Sequence, residues 1–255
     1  TGHDYHLAAE KAREAKEYNR ALEYIEKAHE IYSHEGNLGK VAEASASEAI
    51  TYTNRGRAAQ DTAQRAADFQ KAKESAIRSV EEAEKTGNPE DSTLPLFTAA
   101  KTLQQLGEME QAVEFYKKAV ELPLPEDHKP SEVAIYADIK NHLATCEYSL
   151  AATSEEKATA LKEAEQSVEE LMQSGIDKLS EAQRYNYNVW LSGAYMRIAD
   201  VLYSDDPEKA MSFLKQADEI IESDERLIAR KDQIAQLRNT LRQRQQDMYK
   251  KDSLL

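Results

Sequence analysis

The chain has 255 residues, 40% of them hydrophobic, and a formal net charge of −14 at pH 7. This charge argues against nucleic acid or an anionic membrane surface as a partner of the main body. No apolar run is long enough to cross a membrane, and the single cysteine, Cys146, excludes an internal disulfide. We therefore expect a reducing, cytoplasmic setting, with Cys146 as a small core residue.

The composition predicts an all-α protein. Only 8 Gly and 6 Pro interrupt the chain, whereas Ala, Glu, Lys, Gln and Leu are good helix formers. No alternating strand pattern of useful length is present. The helix-breaking residues separate the predicted helices, at Gly36-Asn37, Gly87-Asn88-Pro89, residues 123–130 and Gly175.

The first predicted helix pair, residues 2–35, recurs at residues 94–122. Nine small or apolar positions of the first copy are matched 91 residues later by the same class of residue. The matched pairs are Tyr5 and Leu96, Ala8 and Ala99, Ala9 and Ala100, Ala12 and Leu103, Tyr18 and Met109, Ala21 and Ala112, Ile25 and Tyr116, Ala28 and Ala119, and Ile31 and Leu122. Spacings of three and four predict two amphipathic helices in each copy. A recurring helix pair is a stacking unit, which indicates a solenoid.

Three further second helices follow the same template more loosely. Their apolar positions are Ala76, Val80 and Ala83, then Leu161, Ala164, Val168 and Leu171, then Pro207, Ala210, Leu214, Ala217 and Ile220. Helix starts are predicted from capping boxes at Thr153–Glu156 and Ser180–Gln183, and from Asp206 before Pro207. We interpret the proline-rich stretch 121–132 as an inter-repeat loop in preference to a domain linker, so residues 1–223 are expected to form one array.

These positions resemble the tetratricopeptide repeat family. Residues 94–122 match its motif at Leu96, Ala100, Ala112, Tyr116 and Ala119, with Gly107 in the turn. Residues 2–35 match it at Tyr5, Ala9, Ala21, Ile25 and Ala28, although Lys16 replaces the turn glycine. The resemblance implies a right-handed α-solenoid of about five helix pairs. It also implies a non-catalytic protein–protein interaction module that binds a peptide or helix of a partner in its concave groove.

In that family the first helix of each pair lines the groove. The resemblance implies groove-lining residues at the matching positions of this chain. These are His3, His6, Glu10 and Arg13 in the first copy, and Leu94, Phe97, Lys101 and Gln104 in the later one. Some members grip the carboxylate of a chaperone tail with a lysine and an asparagine. His6 and Glu10 replace these residues in the first copy, as Phe97 and Lys101 do in the later one, so we do not expect chaperone-tail binding.

Residues 184–197 have the most unusual local composition of the chain. They hold Tyr185, Tyr187, Trp190 and Tyr195 together with Asn186 and Asn188. If Gly193 takes the eighth motif position, Tyr187, Trp190 and Arg197 fall on the groove side. Aromatic rings pack against apolar side chains of a bound peptide, and asparagine amides hydrogen-bond both the N–H and the C=O of its backbone. These three residues and Asn188 are therefore candidate partner-binding residues. The alternative is that the rings only pack this helix against its neighbours.

The last 32 residues differ in charge from the rest. Residues 224–255 contain eight basic and five acidic residues, which leaves −17 on residues 1–223. An acidic array attracts basic or amphipathic partners, although acidity also serves solubility alone. A thin apolar stripe predicts a capping helix with residues frayed from Lys250, and a coiled-coil dimer is the alternative. The stripe consists of Leu227, Ile234, Leu237 or Arg238, Leu241 and Met248, and is interrupted by Lys231 and Gln245.

The sequence shows no constellation typical of an enzyme. It has no glycine-rich phosphate loop and no nucleophile elbow. His3 and His6 are one helical turn apart without an evident third metal ligand. We predict no catalysis, no cofactor and no metal. Two other hypotheses are a structural subunit that self-associates or is fixed in a complex, and a peptide-sensing regulatory domain of a longer protein. A monomer is slightly favoured over an oligomer.

Overall fold

The computed structural model describes residues 1–124, 128–178 and 180–252, with the side chains of the last helix described as far as Asp247. These residues form eleven α-helices and no strand, which confirms the predicted all-α fold. The chain divides into two compact units, Thr1–Pro125 (unit 1) and Glu126–Leu255 (unit 2). The division falls within the stretch 121–132, of which residues 125–127 lie outside the described part.

Unit 1 contains three helix pairs. Its helices are α1 (Gly2–Glu14), α2 (Tyr18–His34), α3 (Leu38–Ala58), α4 (Thr62–Glu84), α5 (Pro89–Gln105) and α6 (Met109–Glu121). Each first helix packs against the second helix of its pair, and α3 also contacts both α1 and α5. The alanines that the repeat predicts at the helix crossings are fully buried, namely Ala21, Ala28, Ala112 and Ala119. Small side chains there let the two backbones of a pair approach closely.

Unit 2 contains two helix pairs and a final helix. Its elements are α7 (Pro130–Leu150), α8 (Ser154–Gln173), a 3₁₀ turn (Ile176–Lys178), α9 (Glu181–Leu202), α10 (Pro207–Ser223) and α11 (Ile228–Asp252). Helix α9 contacts α7, α8, α10 and α11. The described helices therefore give five pairs and a C-terminal helix, as the repeat analysis predicts.

The structure confirms two of the three predicted helix starts in full. Thr153 and Glu156 form a complete capping box, and the Asp206 carboxylate accepts the Lys209 backbone N–H at 3.0 Å. The third start differs in its second bond. The Ser180 hydroxyl accepts the Gln183 backbone N–H at 3.2 Å but donates to the Gln183 side-chain oxygen at 2.9 Å.

The turns at Lys16 and Gly107 have equivalent hydrogen bonds. The Glu17 N–H donates to the Ala12 carbonyl at 2.8 Å, and the Glu108 N–H donates to the Leu103 carbonyl at 2.9 Å. Both turns are Schellman-type helix ends, which need a left-handed residue after the helix. Gly107 has a φ of 83°, and Lys16 adopts the same region with a φ of 62°.

Helix α11 covers the end of unit 2. Leu227, directly before the helix, and Ile234 and Leu241 within it recur at seven-residue spacing and are buried in the core of unit 2. Most other described positions of α11 are exposed and polar, as is required of a helix that ends a repeat array. The side chain of Met248 and residues 253–255 of the expected frayed tail lie outside the described residues.

Candidate functional site

The side of unit 2 that α7, α9 and α11 form is named here the first-helix face of unit 2. Its centre is an ion pair between two first helices. Arg197 of α9 donates from Nη2 to Asp138 Oδ1 at 2.5 Å and from Nε to Asn141 Oδ1 at 2.9 Å, both on α7. Asp138 and Asn141 are buried, whereas 18% of the Arg197 side chain is exposed. Arg197 therefore links α7 to α9 and still reaches solvent.

The amide of Asn141 is held in one orientation. Its Nδ2 donates to the Ala164 carbonyl at 3.2 Å and to Ser167 Oγ at 3.0 Å, both on α8. Its Oδ1 is thereby left to accept from Arg197. On the same helix, His142 Nε2 lies 4.0 Å from Asp138 Oδ2. This arrangement fixes the position of the Arg197 guanidinium group.

A second guanidinium group lies against α9 at Gly193. Arg230 of α11 donates from Nη2 to the Val189 carbonyl at 2.7 Å and from Nη1 to Gln233 Oε1 at 2.6 Å. A Cβ atom on Gly193 would lie 2.7 Å from Arg230 Nη2, so only glycine allows this approach. Burial lowers the pKa of Arg230 to about 10, and the positive charge of Arg197 adds to this shift.

A third polar group joins the N-terminal part of α9 to the α10–α11 turn. Asp224 accepts Asn188 Nδ2 at 3.2 Å and Arg226 Nη2 at 2.7 Å, and the Arg226 guanidinium lies 5.2 Å from the Tyr185 ring centre. The hydrogen bonds from Arg226 hold the pKa of Asp224 far below its usual range, against the opposing effect of burial. A cleft of 780 Å³ opens beside Asn188, Asp224 and Arg226.

Comparison with known proteins gives one family match and two structural neighbours. A tetratricopeptide-repeat family model matches residues 95–123. The repeats are tetratricopeptide-like. A Podosopora anserina protein, described as a kinesin light chain with nearly identical TPR-like repeats, has a solved structure with a TM-score of 0.51 and 17% identity, covering 87% of this chain and 95% of that chain. A variant of it gives a TM-score of 0.52 and 17% identity, covering 88% and 96%.

These comparisons show one repeat match and the fold, and they name no ligand. At 17% identity the structural neighbours show the fold alone. A comparison with curated protein sequences finds no match. Tetratricopeptide-like repeats form a protein–protein interaction module, and a fold of this type is generally a non-catalytic scaffold. The identity of a partner therefore has to be argued from the side chains of this chain.

The aromatic rings of α9 are only partly buried, with the exception of Tyr195. Trp190 and Tyr187 pack against the core of unit 2 and retain exposed surface. Trp190 precedes Arg197 by seven residues, so both side chains leave α9 on the same side. Tyr187 lies towards the 3₁₀ turn, where burial, and then the charge of Asp177, raise its pKa. Tyr195 is buried and stacks on Phe213 of α10 at 6.0 Å.

The predicted residues of unit 1 surround Tyr116, the aromatic position of the repeat. The Tyr116 hydroxyl donates to Gln104 Oε1 at 2.7 Å, and its ring lies 6.1 Å from that of Phe97. Lys101 Nζ lies 4.9 Å from the Phe97 ring centre. Phe97, Lys101 and Gln104 are thus one cluster in unit 1.

The groove positions carried over to α1 also make contacts within unit 1. Arg13 donates to Ser47 Oγ on α3 at 2.9 Å, and burial lowers its pKa. Burial likewise lowers the pKa of His6, whose Nε2 lies 4.0 Å from Glu10 Oε1. His3 is exposed. In the described part of the chain, no three His, Cys, Asp or Glu side chains are grouped as a metal site would require.

Asp138, Asn141 and Arg230 were not predicted from the sequence. Asp138 and Asn141 are three residues apart on α7, a spacing that any solvated helix face also shows. Arg230 lies in the segment predicted to be a cap, where a basic residue gives no signal of its own. Gly193 was the available indication, because a glycine inside a helix indicates a close neighbour.

None of the described helices has the length and apolar content needed to span a bilayer.

Proposed function

We propose that the first-helix face of unit 2 binds a segment of another protein, with Trp190 as its main apolar contact. The proposal is supported by one observation above all. The single tryptophan of the chain stays partly exposed on the side of α9 that also carries Arg197. Tryptophan and arginine side chains supply a large share of the binding free energy in many protein interfaces.

Two other residues of α9, Tyr187 and Asn188, are proposed as further contacts. Tyr187 is one helical turn before Trp190 and retains exposed ring surface. The Asn188 side chain donates from Nδ2 to Asp224, and we propose that its Oδ1 accepts a hydrogen bond from the bound segment. Phe97, Lys101 and Gln104 of unit 1 are proposed as a second, independent contact cluster. The partner segment is taken to be extended or helical, as tetratricopeptide grooves accept either.

The test is a selection of binders from a displayed library of random 12-residue peptides, using the full chain as bait. Affinities of the selected peptides are then measured for the intact protein and for a Trp190→Ala, Tyr187→Ala double variant. We expect at least tenfold weaker binding by the variant. A Phe115→Ala variant is the matched control, because Phe115 is a partly exposed ring on the second helix α6.

Two results would contradict the proposal. Peptides that bind the double variant as tightly as the intact protein would show that these rings have no role in binding. Failure to select any peptide, together with a dimer detected by sedimentation, would favour the self-associating subunit. Circular dichroism spectra must first show that the double variant keeps its helix content.

A further inference from the structure

Two guanidinium groups converge on one point of the first-helix face of unit 2. The position that a Gly193 Cβ would occupy lies 2.7 Å from Arg230 Nη2 and 3.2 Å from Arg197 Nη1. The two groups come from different helices, α9 and α11, and both contact the α9 surface at this glycine. Two positive charges this close to the same point repel each other, particularly where solvent is partly excluded.

The carboxylates nearby do not balance these two charges. Asp138 forms an ion pair with Arg197. Within the described part of the chain, Arg230 has no carboxylate at ion-pair distance, and its hydrogen bonds go to the Val189 carbonyl and to Gln233. Two arginines and one aspartate leave an excess of one positive charge at this point. Burial lowers the pKa of Arg230, the charge of Arg197 lowers it further, and the charge of Asp138 offsets these two effects only in part.

We propose that Arg197 and Arg230 together bind a carboxylate group of an acidic partner segment. This inference rests on the proposed function and names the chemistry of its ligand. Guanidinium groups donate through parallel N–H bonds that match the two oxygens of a carboxylate. A single excess positive charge fits a carboxylate, which carries one negative charge, better than a dianionic phosphate. Gly193 contributes by leaving the space into which Arg230 folds.

The net charge of the whole protein favours a basic partner, whereas the arginine pair favours an acidic one. A value of −14 predicts attraction of basic or amphipathic segments at long range. At contact distance the nearest charges decide, because interactions beyond about 8–10 Å are largely screened at physiological salt. A segment with both signs of charge would satisfy the two effects, with its acidic residue placed at Arg197 and Arg230.

The first experiment uses acetate as the probe and does not depend on any selected peptide. The Nε–H signals of arginine side chains are followed by NMR while sodium acetate replaces sodium chloride at constant ionic strength. Saturable shifts of the Arg197 and Arg230 signals are expected in the intact protein. The expected result for Gly193→Ala is a response at least fivefold weaker, because the added Cβ displaces the Arg230 guanidinium.

Gly193→Ala is the key variant because its fold should survive. The atom that its Cβ meets is the far end of a flexible side chain, and alanine is a better helix former than glycine. Arg230→Gln removes the charge itself, and Lys231→Gln on the same helix is the matched control with the same change in net charge. Lys231→Gln should respond to acetate like the intact protein. Equal, unsaturable shifts in all four proteins would overturn the proposal.

The second experiment uses the peptides selected under the proposed function. Replacing their Asp and Glu residues by Asn and Gln, one at a time, should weaken binding at least tenfold at one position. The Arg230→Gln variant should show no such loss at that position. Amidation of the peptide C-terminus distinguishes a terminal carboxylate from a side-chain carboxylate. Peptides whose affinity depends on Trp190 but on no carboxylate would overturn this inference and leave the proposed function standing.

Discussion

Replacing Lys16 by glycine should stabilise unit 1. Lys16 has a φ of 62°, in the left-handed region where a Cβ atom meets the following carbonyl oxygen. Gly107 occupies the equivalent turn 91 residues later, with a φ of 83° and no such contact. The two turns therefore form a natural pair in which the same backbone conformation is adopted with and without a Cβ atom.

The magnitude follows from two opposing terms. A left-handed conformation costs about 1–2 kcal/mol for a residue with a Cβ atom. Glycine loses about 0.4–1 kcal/mol more backbone entropy on folding than a residue with a side chain. The difference favours Lys16→Gly by about 0.5–1 kcal/mol. Little packing is lost, because the Lys16 side chain is exposed.

The assay is urea denaturation followed by circular dichroism, with Lys16→Ala as the control that removes the charge but keeps the Cβ atom. Gly107→Ala is the reciprocal change and should destabilise unit 1, because alanine is strained at a left-handed φ. The added Cβ would have no neighbouring atom within 4 Å, so backbone strain is the only effect expected. A cost of the left-handed Cβ would be excluded if Lys16→Gly were no more stable than Lys16→Ala while Gly107→Ala had no effect.

Three further predictions concern buried groups. Arg55→Met should destabilise the protein by about 3–5 kcal/mol, because it leaves the fully buried Asp68 carboxylate without its ion pair. Burial acts to raise the pKa of Asp68, but the hydrogen bonds from Arg55 and Gln64 lower it below 3.8. A pH titration of the free energy of unfolding should therefore show the stabilisation by the Asp68 ion pair in full above pH 3.8, and its loss as the pH falls through the lowered pKa. Gly56→Ala places a Cβ 2.7 Å from the Phe69 ring and should cost about 1–3 kcal/mol in urea denaturation. Burial raises the pKa of Cys146 to about 12, so a thiol reagent at pH 8 should label it only after unfolding.

The fold could be predicted because its determinants are local and repeated. Alanines seven residues apart mark the helix crossings of the two copies that match best, and Ala21, Ala28, Ala112 and Ala119 are all fully buried there. The end of α1 shows the limit of this approach. Lys16 keeps the turn of the repeat despite the missing glycine, because the surrounding hydrogen bonds impose the left-handed conformation.

The charges of the candidate site could not be predicted in the same way. Arg197 contacts a carboxylate 59 residues earlier in the chain, and Arg230 contacts a carbonyl 41 residues earlier. No local spacing encodes such contacts, since they depend on how α7, α9 and α11 pack beside one another. The sequence indicated α9 through its aromatic residues, but the arginine pair required the structure.

The most direct test of the proposed function is site-specific photo-cross-linking of a selected peptide. A benzophenone amino acid is placed at Asn186, which is exposed on α9 one helical turn before Trp190, or at Lys215 on α10, whose side chain is 79% exposed. We expect a cross-link to the peptide from position 186 and none from position 215. A cross-link from position 215 alone, or equal yields from both, would contradict binding on the first-helix face of unit 2.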